Sequence, residues 1–212
     1  MLKLYREIFN PKRAKVFNQL AAFTKDGVLA GGTALALQIG HRQSFDFDIF
    51  VTQPLTRYHL RKIRRIFGKE LTIRINNPEL LIFSTNEGVE MNFVYFEFKL
   101  LYPPVKTESI SLASIKDIAA DKAYTVGKRG QWRDYVDLFF LLKEKYVTLQ
   151  ALVKNAQRKY QPEFNPRLFL EQLSYFGDIK DFTVTFLRSV YSPKEIQQFL
   201  TDQAKEFSSS II

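Results

Sequence analysis

Apolar and polar residues alternate in the first half of the chain and follow helical spacing in the second half. Apolar runs of strand length, separated by turn-forming Asn, Gly and Pro, occupy residues 28–30, 45–51, 71–75, 80–84 and 89–98. Helical spacing marks residues 6–23, with a break near Pro11, and residues 33–39 and 55–67. The pattern predicts an α/β (α+β) core in which strands and helices are interleaved.

After Pro103-Pro104 the apolar residues recur three and four positions apart, which is typical of helices. The predicted helices are one that Ser114 caps, followed by residues 134–144, 148–160, 166–175 and 193–207. Residues 181–190 are ambiguous, because their Thr and Val content favours a strand within helical surroundings. We therefore predict a core domain at residues 1–105 and a helical C-terminal domain at residues 106–212.

Two carboxylates lie in strand spacing in the second predicted strand. Asp46 and Asp48 are separated by one residue, so both project from one face while Phe47 projects from the other. Mg²⁺ is typically held by one or two protein carboxylates plus substrate phosphates, and two such ions support in-line displacement at phosphorus. Asp46 and Asp48 are therefore the candidate metal ligands.

A glycine pair precedes these carboxylates and opens a predicted helix. Gly31 and Gly32 permit a sharp turn and close backbone approach, and the free N–H groups of a helix beginning at Thr33 would bind an anion. A nucleoside triphosphate would bind at this turn. Arg42 either contacts its phosphates or pairs with an acidic residue of the sheet.

The last predicted strand supplies a candidate third carboxylate. Glu90 and Asn92 share one face of this strand, whereas Val89, Met91 and Phe93 take the other. Glu90 either completes the metal site or is a solvent-facing residue, and the register of the sheet decides between the two.

Composition narrows the function classes. The 212 residues include 31 Lys and Arg against 22 Asp and Glu, and this net charge of +9 favours a polyanionic partner such as RNA. The helix at residues 55–67 and the turn at residues 127–133 are especially basic.

The residue types also make other classes of protein unexpected. Zinc and disulfide sites are not expected, because the chain has no cysteine and two histidines, and no apolar run reaches the roughly 20 residues that cross a bilayer. The start also lacks a signal peptide, so we expect a cytoplasmic protein without membrane contact.

The strings GGTALAL, GHR and SFDFD resemble the signature of the DNA polymerase β-like nucleotidyltransferases, and specifically of the AbiEii/AbiGii toxin nucleotidyltransferases. The later string LASIKDIAADKAYTVGKRGQWRDYVDLFFLL resembles a run that follows the sheet in the same toxins. The resemblance implies a polymerase-β-like mixed sheet core followed by a helical lobe.

The resemblance also implies roles for residues of the helical part. Lys122 is expected to face the nucleotide phosphates, with Asp134, preferred over Asp137, beside it, and Arg129 is a candidate phosphate or acceptor contact. The implied activity is Mg²⁺-dependent transfer of NMP from an NTP to RNA, with the tRNA 3′ end as acceptor, in a toxin-antitoxin or phage-defence system with a separately encoded antitoxin.

Three alternatives stay open from the residues alone. In the first alternative the acceptor is a small molecule, as in antibiotic-modifying nucleotidyltransferases, although these usually need an acidic cleft for a cationic substrate. In the second alternative the acceptor is a protein side chain, for example on the antitoxin. The third alternative is a non-catalytic NTP-binding partner module.

Overall fold

The computed structural model describes residues 3–126 and 128–209; Gly127, part of the predicted basic turn, lies outside the described residues. The chain forms two compact units, Met1–Ser114 and Ile115–Ile212. Each unit has its own buried core, and each is described by itself below.

The first unit contains the predicted strands and helices, with a few shifted ends. Its elements are a 3₁₀ turn (Arg6–Ile8), α1 (Pro11–Gln19), a second 3₁₀ turn (Leu20–Phe23), β1 (Gly27–Ala30), α2 (Gly31–Ile39), β2 (Phe47–Val51), α3 (Arg57–Phe67), β3 (Thr72–Asn76), β4 (Leu80–Ser84) and β5 (Glu90–Tyr95). Helix α2 begins at Gly31, two residues before the predicted Thr33, and β5 ends at Tyr95 rather than at residue 98. Pro11 lies in the first turn of α1, where proline is well tolerated.

In the described residues the five strands form one mixed sheet in the order β1-β2-β5-β4-β3. The central pair, β2 and β5, is parallel, and the other neighbours are antiparallel. Because side chains alternate along a strand, the register gives the sheet two different faces. One face carries the fully buried Phe47, Ile49, Met91 and Phe93, and the other carries half-buried residues, which include Asp48 and Asn92.

Helix α3 covers the apolar face of this sheet. Phe67 at its end lies 6.0 Å from Phe83 of β4 and 5.9 Å from Phe23, measured between ring centroids, and Phe23 lies 5.1 Å from Phe93 of β5. Thr56 caps the helix, because its hydroxyl accepts a hydrogen bond from the backbone N–H of Tyr58. The apolar stripe of α3 therefore faces the core, and its basic residues face away from it.

A segment after the predicted domain boundary completes the first unit. The Leu29 N–H donates to Ser111 O (2.9 Å), the Ala113 N–H donates to Leu29 O (2.8 Å), and Val105 and Leu112 exchange backbone hydrogen bonds. The bonds to Leu29 pair backbone N–H and C=O groups on the edge of β1 that faces away from β2. They hold residues 106–113, which the sequence analysis assigned to the second domain, within the first unit.

The second unit is helical in its described part. Its helices are α4 (Ile115–Val126), α5 (Trp132–Lys143), α6 (Leu149–Tyr160), α7 (Pro166–Leu173) and α8 (Pro193–Ser209). The ambiguous residues 181–190 form neither a helix nor a regular strand. Tyr135, Phe140, Leu152, Tyr160 and Leu200 are fully buried in its core. None of the helices in the described ranges is both long and apolar enough to cross a lipid bilayer.

Candidate functional site

Asp48 lies on β2, on the half-buried face of the sheet. It is opposite Ala30 of β1 on one side and opposite Asn92 of β5 on the other. The Asn92 Nδ2 group donates a hydrogen bond of 2.8 Å to Asp48 Oδ1. Burial alternates along the strand: Asp46 and Asp48 are half-buried, and Phe47 between them is buried. Asp46 lies just before β2, so its place on the same face as Asp48 stays a prediction.

The glycine turn is packed directly against Asp48. Gly31 has a positive φ of 65°, which strongly favours glycine, and a Cβ atom at this position would collide with the Asp48 carboxylate. A Cβ atom on Gly32 would lie 2.7 Å from Arg42 Nη2 and 3.0 Å from Ser44 Oγ. The two glycines therefore bring the backbone at the start of α2 close to a carboxylate and a guanidinium group.

Thr33 connects the glycine turn to the segment that leads into β2 and contains Asp46. Its side chain is fully buried, and its hydroxyl donates to the backbone oxygen of Asp46 and lies 3.0 Å from Ser44 Oγ. The structure thus gives Thr33 a local positioning contact. Its predicted contact with a triphosphate stays a prediction.

Arg13 contacts the segment that leads into β2, and the sequence analysis did not identify it as a site residue. This residue of α1 is buried; its guanidinium donates to Ile8 O (3.0 Å) and to Ser44 O, and lies 4.9 Å from the centre of the Phe9 ring. Burial lowers the pKa of Arg13 to about 10, although the charge of Asp46 opposes this effect. The group therefore stays protonated at neutral pH. The signal in the sequence was an arginine on the apolar stripe of a helix, three residues before Val16.

The donor set around Asp48 fits a divalent cation with oxygen ligands. Asn92 Oδ1 is buried and accepts no hydrogen bond in the described residues, so an acceptor oxygen without a partner lies beside the Asp48 carboxylate. A buried acceptor in this state carries a desolvation cost that a cation would relieve. Carboxylate and amide oxygens are the ligands that Mg²⁺ prefers.

Glu90 occupies a different position from Asn92. It pairs with Ser84 of β4 in the register, and its carboxylate forms an ion pair with Arg74. No group of three His, Cys, Asp or Glu side chains suited to a metal occurs in residues 3–126 and 128–209. The role of Glu90 as third metal ligand stays a prediction, and the register places Asn92 nearer to Asp48.

In the second unit, Lys122 of α4 is held by two acids of α5. Its ammonium lies 2.6 Å from Asp134 Oδ1 and 2.6 Å from Asp137 Oδ2, and both acids are fully buried. Asp134 also accepts a hydrogen bond from Arg129 Nε at 3.0 Å. Burial alone would raise the pKa of Asp134, but Lys122 and Arg129 outweigh burial and hold it below its ordinary value. The expected proximity of Asp134 to Lys122 is confirmed, and Asp137 is equally close.

A second buried ionic cluster links α4 to α6, and the sequence analysis did not identify it. Lys159 contacts Asp121 (2.5 Å) and Asp117 (3.2 Å), and the Tyr160 hydroxyl donates to Asp121 (2.6 Å). Burial raises the pKa of Asp121 although Lys159 acts in the opposite direction. Asp117 and Asp121 are four residues apart on α4, which was the available signal.

The five-stranded mixed sheet carries Asp48 on β2, with Asp46 just before this strand, beside a glycine turn at the start of a helix. This is the arrangement of a nucleotidyltransferase. Residues 16–202 match the family of AbiEii nucleotidyl transferase toxins of type IV toxin-antitoxin systems. The chain therefore belongs to the AbiEii toxin nucleotidyltransferases, as the sequence motifs indicate, and it is a nucleotidyl-transferring enzyme.

Individual proteins are similar to this chain over most of its length. The protein aq_aa25 of Aquifex aeolicus (strain VF5) is 31% identical over 186 residues, which cover 86% of this chain and 88% of that protein. Among solved structures, a candidate nucleotidyltransferase from H. pylori has a TM-score of 0.61 at 18% identity, covering 95% of this chain and 97% of its own. MenT4, the nucleotidyltransferase toxin Rv2826c from Mycobacterium tuberculosis H37Rv, has a TM-score of 0.61 at 14% identity, covering 90% of this chain and 80% of its own. At these identities the two structures show the shared fold.

Proposed function

We propose that this toxin is a Mg²⁺-dependent nucleotidyltransferase that transfers NMP from an NTP to an RNA acceptor, the 3′ end of tRNA. The observation that carries the proposal is the contact of the Gly31 turn with the Asp48 carboxylate, beside the acceptor oxygen of Asn92 that has no partner. This juxtaposition supports a site for a metal-bound triphosphate.

Asp46, Asp48 and Asn92 would hold the magnesium ion, and Glu90 is the predicted further ligand if a second ion binds. When bound, magnesium would polarise the reacting phosphoryl group and offset the charge on the leaving pyrophosphate. The backbone at Gly31 and Gly32 approaches closely enough to donate to phosphate oxygens once a triphosphate is present. Arg42, adjacent to Gly32, would supply a fixed positive charge.

Lys122, Asp134 and Arg129 are proposed to serve the same reaction. Lys122 is shielded by two carboxylates, whereas the Arg129 side chain is 49% exposed while its Nε contacts Asp134. Arg129 is thus the member of this cluster best able to contact a phosphate directly. Asp134 would orient Arg129, and Lys122 would balance the buried charge of the two acids.

The remaining parts of the proposal concern the acceptor and the partner. The net charge of +9 suits a polyanionic acceptor and disfavours a cationic small molecule. A tRNA with a modified 3′ end cannot be aminoacylated, so the reaction would arrest growth, as expected of a phage-defence toxin. NTPs and tRNA are cytoplasmic, so the proposed reaction would take place in the cytoplasm. A separately encoded antitoxin is the partner that the toxin-antitoxin family implies.

The test compares the wild-type protein with Asp48→Asn and with the matched control Glu70→Gln, an exposed acid of the same unit. Each is expressed without antitoxin, and growth, protein level and transfer of label from α-labelled NTPs to total tRNA are measured. We expect Asp48→Asn to lose about 10³-fold in transfer, since metal stabilisation supplies several kcal/mol and each 1.36 kcal/mol is tenfold. Glu70→Gln should arrest growth like the wild type.

Other acceptors are tested in the same assay. Aminoglycosides and co-expressed antitoxin replace tRNA in parallel reactions, and adducts are identified by mass spectrometry. If label appears on the small molecule alone or on the protein alone, the RNA acceptor is refuted, but the nucleotidyltransferase activity is upheld. Undiminished transfer by Asp48→Asn would remove catalysis from the proposed site.

A further inference from the structure

Helix α3 presents a row of arginines to solvent. Arg57, Arg61, Arg64 and Arg65 follow the i, i+4, i+7, i+8 spacing of one helix face, and all four are exposed. We call these four residues the arginine stripe. In the part of the chain that the structure describes, none of them forms an ion pair or a side-chain hydrogen bond, whereas Lys62 on the same helix pairs with Asp26 at 2.6 Å. The stripe is therefore a concentrated and uncompensated positive charge.

The basic turn of the second unit differs from the stripe in this respect. Lys128 contacts Glu163 at 3.4 Å, Arg129 contacts Asp134, and Arg133 donates to Gln131 at 3.1 Å. Each of these cations already has a partner within its own unit. A polyanion would displace such contacts on the turn, but it would meet unpaired guanidinium groups on α3.

The stripe lies on the side of the sheet opposite the candidate metal ligands. Helix α3 packs through Phe67 on Phe83, and Phe83 is opposite Met91 in the register of β4 and β5. Met91 alternates with Asn92, which contacts Asp48 from the other face. With a layer spacing of about 10 Å and a helix about 10–12 Å across, the guanidinium groups lie roughly 15–20 Å from the sheet, away from Asp48.

We infer that the arginine stripe is a docking surface for the phosphate backbone of a large folded RNA whose reacting end is held at Asp48. This inference rests on the proposed function and adds that the substrate must reach both faces of the sheet. The stripe is about 12 Å long at 1.5 Å per residue, which is roughly the length of four phosphates on one strand of a duplex. A trinucleotide is too short to bridge the two positions, whereas a whole tRNA is long enough.

The chemistry of α3 favours RNA over an acidic protein. Protein interfaces depend on a buried apolar centre, and the large exposed apolar side chain on α3 is a single tyrosine, Tyr58, at 52% exposure. Guanidinium groups bind phosphate oxygens in a bidentate manner, and an exposed tyrosine ring beside them suits base stacking. The helix therefore has the features of a nucleic-acid backbone site.

The test uses the full chain with all four stripe residues changed to Gln. A matched control removes the same four charges from exposed residues of the second unit, with Lys154, Arg158, Lys180 and Lys194 changed to Gln. Both variants lower the net charge from +9 to +5, so they separate local docking from overall charge. Binding of whole tRNA is measured in the Asp48→Asn background by fluorescence anisotropy at several salt concentrations. The KM values for tRNA and for a trinucleotide with the same 3′ sequence are measured with the active enzymes.

We expect the stripe variant to bind tRNA about tenfold or more weakly than the wild type. The slope of log K against log salt should become less negative by about 3, since each of the four phosphate contacts contributes about 0.7–0.9 to its magnitude. The preference for tRNA over the trinucleotide, as a ratio of KM values, should fall by a similar factor. The control should keep both the affinity and the ratio. Thermal unfolding at the wild-type temperature would show that the stripe variant is folded.

Other results are decisive as well. Wild-type affinity and salt slope in the stripe variant would overturn the inference. Intact tRNA binding with loss of antitoxin binding in a co-purification assay would overturn it and assign the stripe to a protein partner. Stripe-dependent tRNA binding without NMP transfer to any RNA would uphold the docking surface and refute the proposed RNA acceptor.

Discussion

Asn92 lies directly opposite Asp48 in the parallel pairing of β2 with β5, and its Nδ2 group donates a 2.8 Å hydrogen bond to Asp48 Oδ1. The other end of the amide, Oδ1, is buried and accepts no hydrogen bond in the described residues. One side chain thus orients a candidate metal ligand and offers an oxygen of its own.

Replacing Asn92 with Leu removes both the donor to Asp48 and the acceptor oxygen. We expect Mg²⁺ affinity to fall about 10–100-fold, the usual effect of losing a residue that supports a metal ligand. Asn92→Asp restores an oxygen and adds a charge, so it should bind Mg²⁺ at least as tightly as the wild type. Calorimetric titration with Mg²⁺ and a non-hydrolysable NTP measures this. Wild-type affinity in Asn92→Leu would exclude Asn92 from the site.

Gly31 and Gly88 both have positive φ angles, 65° and 79°, but their surroundings differ. A Cβ atom on Gly31 would collide with Asp48, whereas one on Gly88 would meet nothing within 4 Å. Both Ala substitutions should cost about 1–2 kcal/mol of stability through the backbone. Only Gly31→Ala should also abolish NMP transfer, because it displaces the Asp48 carboxylate. Unfolding in urea and transfer assays on the folded proteins measure the two effects, and equal activity in the two variants would contradict the prediction.

Local pattern was sufficient to predict most of the fold. Alternation along a strand, such as that of Phe47, Asp48 and Ile49 in β2, indicated which side chains share a face, because it follows from strand geometry. The pairing of β2 with β5 was not predictable in this way, since register depends on packing between distant segments. The sequence therefore offers Glu90 as the candidate third carboxylate, whereas the register places Asn92 opposite Asp48.

Buried charges were the least predictable part of the candidate site. Arg13 lies in a predicted helix for which the sequence indicated no site residue, but it is buried and donates a hydrogen bond to the backbone at Ser44, just before β2. It also precedes residue 16, where the family match begins, so the family resemblance gave no information about it. Arg13 and the Lys159 cluster are recognisable only when distant segments are brought together.

The buried hydrogen bonds of Arg13 predict that its replacement lowers the unfolding free energy, and that a lysine at this position partly restores it. Arg13→Met leaves the carbonyl oxygens of Ile8 and Ser44 without their donors, and each such loss costs about 1–3 kcal/mol. We expect Arg13→Met to lose roughly 2–4 kcal/mol of unfolding free energy and Arg13→Lys to lose less, because an ammonium satisfies one of the two carbonyls. Denaturant unfolding measures both losses.

Arg6→Met, at the exposed Arg6–Glu108 ion pair, is the control and should change stability by less than about 1 kcal/mol. Equal losses in Arg13→Met and Arg6→Met would contradict the structural role of Arg13.

The ion pair of Asp134 with Lys122 predicts how stability depends on pH. The pKa of Asp134 is lowered in the folded state because Lys122 and Arg129 outweigh the effect of burial. A carboxyl group with a lowered pKa stabilises the fold fully above its unfolded pKa of about 3.9, and this stabilisation is lost as the pH falls through the folded pKa. At pH 7, Asp134→Asn should cost about 2–3 kcal/mol, less than the 3–5 kcal/mol typical of a broken buried pair, because Lys122 keeps Asp137. The difference in unfolding free energy between wild type and variant should shrink below pH 4.

Unfolding measured from pH 7 to pH 2.5 tests this prediction. The control is Glu171→Gln, which breaks an exposed pair with Arg167 and should differ from the wild type by nearly zero at every pH. A wild-type advantage over Asp134→Asn that stays constant down to pH 2.5 would show that Asp134 stabilises the unit by packing rather than by its charge.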